Sequence, residues 1–186
     1  MSKQIKNTIF ILVVSILIIC LTPTASSSAA PILDEQKPSS RSLGEELQVS
    51  PDGDADRYSP AVAYNSQEGE FLVVWHKQRP GDTRDIYARR LTEEGEVLSW
   101  FTVASGTFAK INPHVVYNAD NNEYFIVWMQ YEPIKGIYNI WGRIIPWNEP
   151  GSNPAFPIIS WPDRTEYDPK VAWDSKRNQY LVVWSA

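Results

Sequence analysis

Thiol chemistry is all but missing from this sequence. Its 186 residues hold one cysteine, Cys20, and that residue sits in the N-terminal apolar run. A disulfide framework and a thiolate metal centre are therefore excluded from the body of the chain. Histidine is nearly as scarce: His76 and His114 are the two present, and they occupy unlike positions in the sequence pattern, so no histidine triad for zinc arises. Nothing marks an activated nucleophile, a general base or a cofactor loop, and helix-favouring patterns are rare. Positive charge is also short. The formal net charge of −5 argues against nucleic acid and against an anionic membrane surface as partners.

What is present favours strands. Trp, Tyr, Val and Ile are plentiful, 14 prolines punctuate them, and hydrophobic residues reach 43% against 21% charged, which predicts an ordered all-β body with many turns. The N-terminus follows a different logic. Lys3 and Lys6 precede an apolar run from Ile9 to Leu21, and the small residues Thr24 to Ala30 follow. That order predicts a secretory signal over residues 1–29, cleaved after Ala29, because the run is shorter than the roughly 20 residues a bilayer span needs. The body is expected outside the cytoplasm, with membrane contact only if the signal stays as an uncleaved anchor. Residues 30–45, rich in Ser, Pro and charge, read as a disordered linker ahead of a repeat region over 46–186.

The repeat is explicit. Pro60-Ala-Val-Ala-Tyr-Asn-Ser-Gln-Glu-Gly-Glu-Phe-Leu-Val-Val-Trp75 returns as Pro113–Trp128 and again as Pro169–Trp184, with starts 53 and 56 residues apart. Each copy predicts two strands around a polar turn: Pro60–Tyr64, Asn65–Gly69, then Phe71–Trp75. The second strand is apolar on both faces and must be covered on both. Asp85–Leu91, matched by Asn139–Ile145, gives a third strand, and Val97–Ala104 a fourth. Leu47–Ser50, an echo of Phe101–Ser105 and Phe156–Ser160, reads as the last strand of a unit whose earlier strands precede it. Four antiparallel strands per unit of about 54 residues, with a doubly buried inner strand, predict β-propeller blades. The units start near residues 57, 110 and 166, and the third is incomplete.

The phrases Pro-x-Val-Ala-Tyr-Asn, Phe-Leu-Val-Val-Trp, Asp-Ile-Tyr-Ala-Arg-Arg-Leu and Glu-Gly resemble the propeller repeats of secreted bacterial proteins. The Asp85-Ile-Tyr stretch with its following Gly turn is also similar to TolB-type repeats, without their Ser-Pro-Asp-Gly-Lys phrase. Kelch diglycines, the WD40 Trp-Asp ending and the sialidase box are absent. The resemblance implies a binding or scaffolding module within a longer protein. About two and a half blades do not close a ring of four to eight. Three expectations meet that shortfall: a fragment, self-assembly into a ring, or an open array capped by a partner.

Chemistry is sought among residues that do not recur. Trp75, Trp128 and Trp184 recur in register, as do Arg89 and Arg143, and such residues are expected to pack, the arginines through an ion pair or stacking. Trp100, Trp147 and Trp161 do not recur and are candidate ligand platforms, Trp161 on one rim and Trp147 on the other. His76 is a candidate channel residue. Asp52, Asp54 and Asp56 alternate in a loop and are a candidate calcium site, although the EF-hand pattern fails at Arg57 and Ala63. The expected function is non-catalytic binding of a carbohydrate or protein ligand. The alternatives are a fragment of a propeller glycoside hydrolase, with a carboxylate pair drawn from Asp163, Glu166, Asp168 and the Asp52–Asp56 loop, and a self-associating ring.

Overall fold

The computed structural model describes residues 46–50, 56–81 and 83–186. The predicted signal, the linker, Asp52 and Asp54 lie outside the described residues.

Among the described residues there are ten strands and no helix: β1 (Arg57–Asn65), β2 (Glu70–Gln78), β3 (Arg84–Thr92), β4 (Val97–Ala104), β5 (Lys110–Asn118), β6 (Glu123–Glu132), β7 (Ile137–Pro146), β8 (Phe156–Ile159), β9 (Tyr167–Asp174) and β10 (Gln179–Ser185). They form antiparallel sheets in simple sequence order, β1-β2-β3-β4, then β5-β6-β7-β8, then the hairpin β9-β10. The described residues therefore form two complete β-propeller blades and the inner hairpin of a third, part of a ring.

Turn chemistry sets each inner hairpin. Asn65 Oδ1 accepts from the N–H groups of Gln67 and Glu68 at 3.0 and 3.1 Å, and Gly69 closes the turn at φ 65°. Asn118 and Asp174 repeat the acceptor role, and Asn122 and Asn178 take the left-handed position at φ 49° and 50°. Asn is the side chain, after Gly, that tolerates this conformation best.

Burial then stacks the blades. Leu72 and Val74 of β2 pack with Ile86, Ala88 and Val103 against Val115, Tyr117, Tyr124, Ile126 and Trp128 of the second sheet. The opposite face of β6, Phe125 and Val127, packs with Val171, Tyr180 and Val182 of the hairpin. β6 is thus covered on both faces, as the repeat predicts, whereas β2 leaves Phe71 exposed on its outer face and β10 leaves Leu181 and Val183 exposed. Polar clasps add direction: Asn65 Nδ2 donates to Asn122 Oδ1 at 3.1 Å, and Asn118 Nδ2 to Asn178 Oδ1 at 2.8 Å.

Two expectations are corrected. Leu47–Ser50 is not a strand, since no neighbouring strand offers it a ladder among the described residues. Its backbone nevertheless holds an equivalent place: Arg89 Nη1 donates to Val49 O at 3.0 Å, as Arg143 Nη1 donates to Val103 O at 2.7 Å. Among the described residues the recurring arginines make neither an ion pair nor a ring contact. They hydrogen-bond backbone carbonyls of the preceding layer, which a planar five-donor guanidinium does well.

Candidate functional site at the inner edge of the blades

Strands β1, β5 and β9 form the inner edges of their sheets, and β5 contacts both of the others. Each carries the same irregularity near its start. Ser59, Asn112 and Asp168 precede a proline and adopt φ 52°, 52° and 47°. Pairing slips at these points, between Tyr58 and Ala61, between Ile111 and His114, and opposite Asp168 between Val183 and Ser185. Proline has no N–H to give the ladder, so a bulge is cheap there, and a bulge re-aims its side chain.

The three re-aimed side chains meet. Ser59 Oγ donates to Asn112 Oδ1 at 2.9 Å, and Asn112 Nδ2 donates to Asp168 Oδ1 at 2.8 Å. This row crosses three layers and lines a hollow of about 270 Å³ shared with His114 and Lys170. Tyr58 and Tyr167, one residue before the bulge in β1 and β9, are both exposed beside it.

The histidines support the row from behind. His76 is buried, stacks on Tyr58 at 5.4 Å, and its Nδ1 accepts from the Asn112 N–H at 3.4 Å. Burial, aided by the charge of Arg84, pushes its pKa down to about 4, which keeps the ring a neutral acceptor at neutral pH. His114 Nδ1 accepts from the Val171 N–H at 3.3 Å, and burial with Lys170 lowers its pKa too. His76 is therefore placed to position Asn112.

The other candidates fall at separate places. Trp161 is exposed in the loop leading to β9, with the Arg164 guanidinium 4.8 Å from its ring centroid. Trp100 is exposed on β4, at the sheet edge remote from the inner strands, tilted against Tyr87. Trp147 is half-buried; its Nε1 donates to Glu70 Oε2 at 3.2 Å and Arg90 lies over its ring, so it pins the second sheet to the first. Asp56 accepts from the Tyr58 hydroxyl at 3.0 Å. Among the described residues no group of three or more His, Cys, Asp or Glu is arranged to hold a metal. Of the rim acids, Asp168 lines the hollow and the Glu166 side chain is buried. Burial raises the Glu166 pKa.

Sequence reasoning missed Ser59 and Asn112 and took Asp168 as a loop acid of the candidate carboxylate pair, not as a partner of those two. The signal was one residue upstream of the phrase: three small polar residues, each directly before a repeat proline.

The chain matches no protein-family model and no curated protein sequence. Among solved structures it is similar to the endo-arabinase of Bacteroides thetaiotaomicron, with a TM-score of 0.50 and 13% identity over 70% of this chain and 51% of that one. The chain spans about half the length of that enzyme. At this identity the likeness is one of fold.

Proposed function

We propose that this protein is a non-catalytic carbohydrate-binding propeller module whose ligand sits at the mouth formed by Ser59, Asn112 and Asp168. The observation that carries the reading is the hydrogen-bonded row across three layers. A sugar needs alternating donors and acceptors for its hydroxyls and a flat apolar face for its ring. The row supplies hydroxyl, amide and carboxylate groups; Tyr58 and Tyr167 flank it, and Trp161 stands on the loop leading to Tyr167. A hollow of about 270 Å³ suits one sugar residue better than a protein side-chain cluster.

Calorimetric titration with a panel of neutral oligosaccharides, arabino-oligosaccharides included, tests it. At least one is expected to bind, and Tyr167→Ala to weaken it by roughly 10-fold, the order of one lost stacking contact. Absence of binding across the panel, or affinity indifferent to both Tyr167→Ala and Asp168→Asn, would remove the reading. The second reading, a glycoside hydrolase, is favoured by the fold likeness. It replaces the first if reducing ends are released from any of these glycans and Asp168→Asn stops the release.

A further inference from the structure

We propose that the seam between the first and second sheets is a separate binding site for an anionic ring ligand, a sugar of the uronic-acid class. A hollow of about 660 Å³ opens there, between the segment after β4 and strands β5, β6 and β7 with the loop after β7. Its wall contains Lys110 and Arg143 and, among the described residues, no carboxylate. In a chain with an excess of acidic residues such a wall is a local inversion of charge.

Lys110 is the direct donor. It is only 5% exposed, yet the partner of its ammonium is a single carbonyl, that of Phe108 at 2.7 Å. The nearby acid Asp85 is already taken by Arg79 at 2.7 Å and by the Gly106 N–H at 3.2 Å. Burial lowers the Lys110 pKa, the charge of Asp85 offsets this in part, and Arg79, which holds Asp85, adds to the lowering. A ligand carboxylate supplies counter-charge. Arg143 contributes field rather than contact, since it donates to the carbonyls of Val103, Asn153 and Gly151.

The rest of the wall fits a sugar ring rather than a bare anion. Trp141 and Trp128 form part of it, and Trp128 keeps its indole N–H buried without a partner. Gln130 and Thr107 add groups for hydroxyls. In the repeat register Lys110 corresponds to Arg57 at the preceding seam and to Glu166 at the next, where the charge is reversed.

The site does not rest on the inner-edge reading, and its test is independent. Tri-galacturonate, neutral galactotriose and inorganic phosphate are titrated at low salt against the intact protein, with tryptophan fluorescence as the readout. The acidic trisaccharide is expected to bind at least about 10-fold more tightly than the neutral one. Lys110→Met is expected to lose about 10-fold, and Thr107→Glu, an exposed change that spares the core, to lose a similar factor. Melting curves establish that each variant is folded. The proposal is overturned if no acidic trisaccharide binds at millimolar concentration, if the neutral sugar binds equally, if phosphate binds as tightly as the trisaccharide, or if both variants leave affinity unchanged.

Discussion

His76 and Glu166 contribute to how this protein responds to pH with opposed signs. His76 titrates near 4 in the folded chain against about 6.5 when unfolded. Between those values the unfolded chain binds a proton that the folded chain refuses, so stability falls as pH drops through that window. The loss is on the order of 3 kcal/mol at its limit, and His114 shifts in the same direction. Urea midpoints measured at pH 7 and pH 4.5 are expected to show the drop, and His76→Gln to flatten it; a wild-type midpoint constant over that range would remove the claim. Glu166 behaves oppositely. Its pKa is raised, so the ionised form strains the fold above that pKa and the strain disappears on protonation. Glu166→Gln is therefore expected to raise the melting temperature by a few degrees at pH 7 and to leave it unchanged near pH 4.

Between elements, equivalent layers keep their spacing by exchanging volume. In the first sheet Leu72 packs on the same face as Ala88; in the second the matching residues are Phe125 and Gly142. A Cβ placed on Gly142 would meet Phe125 Cε2 at 2.7 Å and Ile158 Cδ1 at 2.9 Å. Gly142→Ala is expected to destabilise by about 1–3 kcal/mol in denaturant titration, and Phe125→Leu to restore much of the loss in the double variant. The hairpin pattern, the strand order and the doubly buried inner strand were legible because period, turn residues and apolar faces are all local to the phrase. This exchange was not, because it shows only when two residues 17 apart are known to share a face. The row Ser59–Asn112–Asp168 was hidden for a related reason: its members differ in type, and only the bulge geometry at each proline brings them together.

At the scale of the whole molecule, residues at one register position differ in burial according to the neighbour they have. Val115 and Val171 are 4% and 6% exposed, but the matching Val62 is 59% exposed; Leu72 and Phe125 are 0% and 4%, but Leu181 is 64%. The outer face of the first sheet and the outer face of the hairpin are therefore blade faces by composition and surface by position. The sequence showed which positions correspond from one repeat to the next, and the fold shows which of them a neighbouring layer covers among the described residues. A lysine at an exposed apolar position costs little, whereas the same charge between packed layers remains desolvated and unpaired. Leu181→Lys is accordingly expected to leave the denaturation midpoint within about 0.5 kcal/mol of the parent and to lower concentration-dependent light scattering. Phe125→Lys, the same substitution one layer inward, is expected to cost more than about 4 kcal/mol and to unfold the chain in part. Equal effects of the two changes on the denaturation midpoint would mean that the hairpin's outer face is covered in solution.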